Sequence, residues 1–341
     1  MEILSPTEDN LRRAGEILAR GGLVAFPTET VYGLGADAFD ARAVARVFEA
    51  KARPSFDPLI VHVASIEGVD KVADASNAKA RSLMETLWPG PLTLVLPRLA
   101  TVPDIVTSGL ETVAVRLPSH PVARAIIVFS GTAVAAPSAN PFGRLSPTTA
   151  EHVARGLGDK VDLIIDGGPC SVGVESTVLD MTVDPPRILR PGGMPAETIE
   201  SVIGPVGHPP VPDAPSGDRD ARRAHGTVVA ASPGLLDNHY APRTPLYLVE
   251  TGAIARAKPK GRAAALILSP ASKDGLAAIA RRFALARYLS PTGDLVEAAA
   301  GLFAALHELD EKGFDEIWAE RAVDRGLGPA INDRLYKAST K

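Results

Sequence analysis

Hydrophobic and polar positions along the chain change period often, and the changes are sharpest between residues 22 and 63. Leu23 to Phe26 is a short apolar run stopped by Pro27, and Pro58 to Val63 is a second run rich in branched side chains, so both are expected to be buried strands. Between them Asp40 can cap a helix from Ala41 to Lys51, with Ala43, Val44, Val47 and Phe48 on one face. The pattern therefore predicts strand, loop, helix, loop, strand. It leaves Thr28, Glu29, Thr30 and Tyr32 on the first loop, and Lys51, Arg53 and Asp57 on the second, outside the core. Two polar loops at the ends of neighbouring strands form a candidate ligand site.

The rest of the chain extends this picture. Ser5-Pro6-Thr7 followed by Glu8 and Asp9 starts a helix that Gly21-Gly22 stops. Helical patterns near Ile66 to Val72 and Asn77 to Leu87 lead through Trp88-Pro89-Gly90-Pro91 into a strand from Leu92 to Leu96. Thr112 to Leu117 predicts a buried strand with one functional end. Pro121 to Ser130 predicts a helix, followed by a strand of small residues (Ala133, Ala135, Ala136) and a loop carrying Ser138, Asn140, Arg144 and Ser146. Val161 to Gly168, Glu175 to Met181 and Arg187 to Gly193 predict three further strands. Helices mixed irregularly with many strands indicate an α/β or α+β domain around a twisted mixed sheet.

From Gly204 the character changes, because Pro205, Pro209, Pro210, Pro212 and Pro215 crowd together and aliphatic side chains nearly vanish. Residues 205–243 are expected to be a proline-rich linker, dividing a domain at 1–204 from a smaller one at 244–341. Such a segment stays extended, so it can lie across a surface. Beyond it, strands at Leu246 to Val249, Ala264 to Leu268 and Ile317 to Ala319, with helices at Leu276 to Arg287 and Leu295 to Leu309, predict an α/β domain with a mainly parallel sheet.

Composition narrows the function class only modestly. A chain of 341 residues exceeds what one core usually organises. The net charge of −4 offers no bulk attraction for a polyanion, so an RNA contact would need a local basic patch. Cys170 is the single cysteine, which excludes an intramolecular disulfide and a cysteine-rich zinc site. The N-terminus lacks the features of a signal peptide, and no apolar run approaches a membrane span, so a cytoplasmic protein is expected.

Lysine is scarce before the linker, where only Lys51, Lys71, Lys79 and Lys160 occur. Lys51 and Arg53, at a helix end, have two readings: they satisfy the last helical carbonyls, or they clamp phosphates. Arg116 at a strand end, Arg190 before Pro-Gly-Gly, and the Ser138–Asn140 loop favour the clamp. His62 lies inside an apolar strand, and Thr30 and Ser176 at loop–strand junctions, where each can equally be a structural residue. No nucleophile elbow, His-Glu-x-x-His, Walker-type loop or dinucleotide fingerprint is present, so an enzyme built on this chain would work by positioning and charge stabilisation.

Taken together, PTETVYGLGADA, Lys51-x-Arg53 with PLIVHV, AVRLP, Ser138-x-Asn140 with SPT, VESTVLD and ILRPG resemble the YrdC-like threonylcarbamoyl-AMP synthases. SPG…HYAP at Ser232 to Pro242 and GLGPAINDRLYKA near the end resemble the long form of that family, with an extra C-terminal domain. The resemblance implies a YrdC-like catalytic domain followed by a Rossmann-like α/β domain. It implies a nucleotidyltransferase that makes L-threonylcarbamoyl-AMP and pyrophosphate from L-threonine, bicarbonate and ATP, for threonylcarbamoyladenosine modification of tRNA. Mg²⁺ is expected to accompany the ATP, with few protein ligands and no dedicated metal site. By matching motif positions, Thr30, His62, Arg116, Ala136 (through its backbone) and Ser176 fall to threonine. Lys51, Arg53, Asp57, Thr112, Ser138, Asn140, Ser146, Arg190 and Tyr240 fall to ATP, with Lys51, Arg53 and Arg116 as the catalytic cations. Two departures stand out: Asp57 sits where the family commonly has Asn, and Leu235-Leu-Asp-Asn238 replaces the usual Met-Lys-Tyr-Arg. The linker, with His239 and Tyr240, is then a candidate lid over the active site. Downstream threonylcarbamoyl-transfer proteins are the implied partners, with contact to tRNA or double-stranded RNA as a further expectation. Two alternatives stand beside this reading: a related carbamoyl-adenylate-forming enzyme, and a non-catalytic double-stranded RNA-binding module.

Overall fold

The computed structural model describes residues 1–208, 240–269 and 273–340. A short strand β1 (Glu2–Leu4) precedes helix α1 (Glu8–Ala19), capped by Thr7, whose hydroxyl accepts from the Asn10 amide. Strands β2 (Val24–Pro27) and β3 (Tyr32–Asp37) form an antiparallel hairpin, and α2 (Ala41–Lys51) follows on the expected Asp40 cap, which accepts from the amides of Arg42 and Ala43. Next come β4 (Ile60–His62), α3 (Ala78–Leu87), β5 (Leu92–Pro97), the single turn α4 (Asp104–Thr107), β6 (Thr112–Arg116), α5 (Pro121–Ser130) and β7 (Val134–Ala135). Helix α6 (Ala150–Leu157), β8 (Leu163–Ile165), β9 (Thr177–Asp180), β10 (Arg187–Arg190) and α7 (Ala196–Ile203) complete the N-terminal part.

These ten strands make one mixed sheet in the order β1-β8-β2-β3-β7-β4-β6-β5-β9-β10. The order corrects the expectation at residues 22–63. Residues 32–37 are a strand and not a loop, so β3 and β7 separate β2 from β4, and Tyr32 is a fully buried core residue. Two glycines in Tyr-Gly-Leu-Gly-Ala-Asp dilute the strand pattern, and pairing with both neighbours decides the outcome. Helices α6 and α7 were likewise not marked by the sequence pattern.

Side chains alternate between the two faces of the sheet. Val61, Val113, Val115, Leu94, Leu96, Leu179 and Ile188 point into the main core beneath α2 and α3. On the other face α1 and α5 cover β2 and β8, with Leu18, Phe26, Ile126 and Leu163 packed together. Farther along that second face Ile60, Val95, Ala114 and Val178 form a small cluster made of strand residues alone. The sheet therefore presents a face that its own helices leave partly open.

The C-terminal part is a separate four-stranded sheet of β11 (Leu246–Val249), β12 (Ala263–Ile267), β13 (Leu285–Tyr288) and β14 (Glu316–Glu320), all parallel, in the order β11-β14-β12-β13. Helices α8 (Lys273–Ala280), α9 (Leu295–Glu311) and α10 (Gly328–Ser339) flank it. The helix expected from Leu276 to Arg287 is shorter, because residues 285–288 pair with β12 as a strand. Neither Gly nor Pro marks that break. The buried faces of α9 and α10 also close on Val31, Leu145 and Val174 of the N-terminal part and on Tyr240. Gly173, with φ +72°, lies so close to α9 that a Cβ there would meet the Ala300 carbonyl oxygen at 2.4 Å. Most of the expected linker, including His239, lies outside the described residues.

Candidate active site

Thr28, at the head of the β2–β3 turn, donates to the Val31 carbonyl (2.6 Å) and accepts from the amides of Thr30 and Val31 (3.2 Å each). This local closure fixes the turn and aims Thr30. The Thr30 hydroxyl accepts from Arg116 Nη1 (2.9 Å) at the end of β6. Arg116 also donates to Gly90 O (3.2 Å) and pairs with Glu29 (2.7 Å). His62 sits beside Arg116 because β4 and β6 run in parallel register there. Ser176, at the mouth of β9, shares a hydrogen bond with Thr93 (2.7 Å) and accepts from Arg190 Nη2 (3.2 Å). Thr30, His62, Arg116, Ala136 and Ser176 thus line one cleft. The Ala136 N–H is taken by Ile60 O (2.9 Å), so a ligand contact there falls to its carbonyl.

Arg53, Ser138, Arg190, Glu175 and Tyr240 line the same cleft. Helix α2 ends because Ala52 turns left-handed at φ 50°, and this aims Arg53 back across the strand ends. Arg53 donates to the carbonyls of Asp57 (3.0 Å) and Pro58 (2.9 Å) and pairs with the Asp57 carboxylate (2.8 Å). Arg190 donates to Ser176 O from Nε and Nη2 (3.2 and 2.9 Å). Tyr240 arrives from the end of the linker, anchored by the Ala241 amide on Gly143 O (2.9 Å) and by its ring against Phe303 (5.6 Å between centroids).

Five of the expected nucleotide residues do not line this cleft. Lys51 is buried behind it, donating to the carbonyls of Ser138 and Asn140 (2.5 Å each), so it pegs the loop that presents Ser138. Asn140 braces the same loop by donating to Pro141 O and Arg144 O (3.1 and 2.8 Å). Ser146 is fully buried and donates to Glu175 Oε1 (2.5 Å). Asp57 stands behind Arg53. Thr112 borders a smaller cavity beside Pro58, Val95 and Ala114, on the open half of the sheet.

The electrostatics follow from burial. His62 is pushed down to about 3 by burial and then by the Arg116 charge, so its imidazole is neutral at pH 7, and its Nδ1 has no hydrogen-bond partner among the described residues. Burial, then Arg53, lowers the Lys51 amine well below its ordinary value. Burial would raise the Glu175 carboxyl, but Arg334 and Arg190 together hold it below the usual range. Burial raises the Cys170 thiol, which disfavours its thiolate. Each of Arg53 and Arg116 is backed by a buried carboxylate, which keeps two cations desolvated and aimed. Among the described residues no three His, Cys, Asp or Glu side chains converge on a point.

Glu29 was expected on the candidate ligand loop but without a role, and Glu175 and Arg334 were not expected at the site. Glu29 and Glu175 lie inside recognisable motifs, but nothing in the sequence announces which cation each meets, since Glu175 and Arg334 are 159 positions apart and joined only by the fold.

Residues 16–192 match the family model of the Sua5, YciO and YrdC proteins, described as Telomere recombination, and residues 194–340 match Threonylcarbamoyl-AMP synthase, C-terminal domain. The threonylcarbamoyl-AMP synthase of Pyrococcus abyssi is 44% identical, with 97% of this chain and 94% of that protein aligned. The Bacillus subtilis protein of the same name is 42% identical over 98% and 94%. A crystal structure of Pyrococcus abyssi Sua5 complexed with L-threonine superposes with a TM-score of 0.85 at 39% identity, covering 99% of this chain and 98% of that one.

Proposed function

We propose a reaction for the cleft from the premise that the chain belongs to the threonylcarbamoyl-AMP synthase family, in its two-domain form. The protein joins L-threonine, bicarbonate and MgATP into L-threonylcarbamoyl-AMP and pyrophosphate. The threonine amine, once deprotonated, adds to bicarbonate and water leaves. A carbamate oxygen then forms a bond to the α-phosphorus as the bond to pyrophosphate breaks. No enzyme nucleophile is required, only fixed charge and orientation.

One observation carries this reading: three buried guanidiniums, Arg53, Arg116 and Arg190, share a cleft with the hydroxyls of Thr30, Ser138 and Ser176 and a neutral imidazole. Arg116, Thr30, His62 and Ser176 form the end suited to an amino acid, with the Arg116 fork for its carboxylate. Arg53, Ser138, Arg190 and Tyr240 form the end suited to the nucleotide, with Lys51, Asn140 and Ser146 acting behind them. His62 is too weak a base to take the ammonium proton at pH 7, so we assign it hydrogen bonding to threonine or its carbamate. Mg²⁺ comes in with the triphosphate as part of the substrate. Glu175 and Asp57, the carboxylates nearest Arg190 and Arg53, already face Arg334 with Ser146, and Arg53, so phosphate oxygens and water complete its shell. The same reading has the product leave for a threonylcarbamoyl-transfer protein acting on tRNA in the cytoplasm. The double-stranded RNA-binding alternative is less well supported, because these cations are buried in a cleft and not ranged along an exposed surface. Among the described residues no helix is long and apolar enough to cross a membrane.

The test is product mass with isotopically labelled bicarbonate, alongside pyrophosphate release. Label incorporated into a threonine-containing adenylate, with pyrophosphate dependent on both threonine and bicarbonate, is expected. Pyrophosphate release that ignores threonine would overturn the reading.

A further inference from the structure

We propose that Arg334, on the last helix of the C-terminal domain, is a positioning residue for the nucleotide end of the cleft. This role rests on the proposed function for which end of the cleft takes the nucleotide, while the contacts Arg334 makes are independent of it.

Arg334 is fully buried, among the largest fully buried side chains of the described residues. Its Nε donates to Glu175 Oε2 (2.7 Å), while Glu175 Oε1 accepts from Ser146 (2.5 Å). Nη1 donates to Pro191 O (2.8 Å), the residue directly after Arg190. The guanidinium carbon lies 5.2 Å from the centre of the Tyr240 ring, near enough for a cation–π contact. One side chain from α10 therefore touches Glu175 and Tyr240, which line the cleft, and the carbonyl that follows Arg190, which also lines it. Asp333 holds the guanidinium from behind (2.6 Å) and is itself held by Lys337 (2.8 Å).

At the amino-acid end only Ser176, which follows Glu175 and accepts from Arg190, stands next to these contacts. Thr30, His62 and Arg116 are set by the β2–β3 turn, by the β4/β6 register, and by Gly90 and Glu29, all within the N-terminal domain. Arg334 therefore bears directly on the nucleotide end, whereas Thr30, His62 and Arg116 make none of its contacts.

The experiment measures ATP affinity by calorimetry, and KM for ATP and for threonine by pyrophosphate release, in the full-length wild type and in Arg334→Met, Arg334→Lys and Arg155→Ala. Arg334→Met is expected to weaken ATP binding and raise the ATP KM by about tenfold or more, while the threonine KM moves by less than about threefold. Arg334→Lys keeps a buried cation for Glu175 but cannot also serve Pro191 and the Tyr240 ring, so an intermediate rise in ATP KM is expected, even if the Met variant does not fold. Arg155→Ala removes the Arg155–Glu311 pair across the same domain contact and is expected to leave both KM values unchanged. ATP affinity in folded Arg334→Lys equal to wild type, or ATP and threonine KM rising in step, would overturn the proposal. A wild type that binds ATP yet makes no threonine-dependent pyrophosphate would overturn the reaction instead, and the calorimetric comparison of the variants would still decide Arg334.

Discussion

At the scale of single residues, the two cations of the Lys51-x-Arg53 pair divide a task that their spacing leaves undivided. Lys51 holds the carbonyls of Ser138 and Asn140, and Arg53 reaches the cleft. Lys51 satisfies carbonyls, though not those of its own helix. Asp57 is the other informative residue, because its carboxylate lies 2.8 Å from the Arg53 guanidinium with both side chains buried. At an effective dielectric near 20, a unit charge about 8 Å from a phosphate is worth roughly 2 kcal/mol, so Asp57 offsets much of what Arg53 offers a triphosphate. Asp57→Asn keeps an acceptor beside Arg53, whose guanidinium also stays tied to the carbonyls of residue 57 and Pro58. The expected outcome is an ATP KM lower by roughly tenfold to thirtyfold, with the threonine KM unchanged. Steady-state kinetics at low ionic strength check it, and an ATP KM that rises would show Asp57 to be a direct contact to the nucleotide.

At the scale of elements, much of the secondary structure was legible because caps and breakers act locally. Thr7, Asp40 and Asn77 cap the helices they were expected to start, and Pro121 to Ser130 is a helix over the expected span. What escaped was decided by partners distant in sequence: β3, whose glycines hide its pattern, and β13, whose helical composition yields to pairing with β12. The site was legible in the same proportion. Residues that line the cleft sit in motifs at strand ends, whereas the side chains that hold them, Glu29, Glu175 and Arg334, become visible only once strands are ordered and domains docked. The turn after β10 belongs to this supporting class. A Cβ on Gly192 would meet the backbone of Ser176 and Thr177 at 2.3 Å, closer than any side chain can yield. Gly192→Ala must therefore push the start of β9 away from β10, displacing Glu175 and Ser176 together. A loss of ~1–3 kcal/mol in stability is expected, with both substrate KM values raised. Thermal melting and kinetics on the same preparation check this, and an unchanged KM for threonine would mean that Ser176 is held by Thr93 alone.

At the scale of the whole molecule, the two sheets meet through α9 and α10, and one contact there is made of titratable groups. The imidazoles of His152 on α6 and His307 on α9 stack with centroids 3.9 Å apart and an interplanar angle of 18°. Their partners fix the tautomers: His152 Nδ1 accepts from the Thr148 amide (3.3 Å), and His307 Nε2 faces the Ser146 carbonyl (3.1 Å) and so must be the donor. Burial first, then the neighbouring His307 and Arg155, lower His152 to about 4, with Glu151 opposing, and burial also lowers His307 against the pull of Glu311 and Asp310. A histidine with a depressed folded pKa stays neutral while its unfolded counterpart takes up a proton. The contact thus contributes fully above the ordinary value of 6.5 and is lost as pH falls from there toward about 4. His307 holds the carbonyl of the same Ser146 whose hydroxyl serves Glu175, so loosening this contact should reach the nucleotide end of the cleft. The expected result is a wild-type melting temperature that falls more steeply between pH 6.5 and 4 than that of His152→Asn, which can still accept the Thr148 amide but does not titrate. Carboxylates and His307 titrate in both proteins, so the difference between the two curves isolates His152 and its coupling to His307. Parallel melting curves would mean that the stack carries no proton-linked stability, and that docking of the two domains rests on the apolar faces of α9 and α10 and on Arg334.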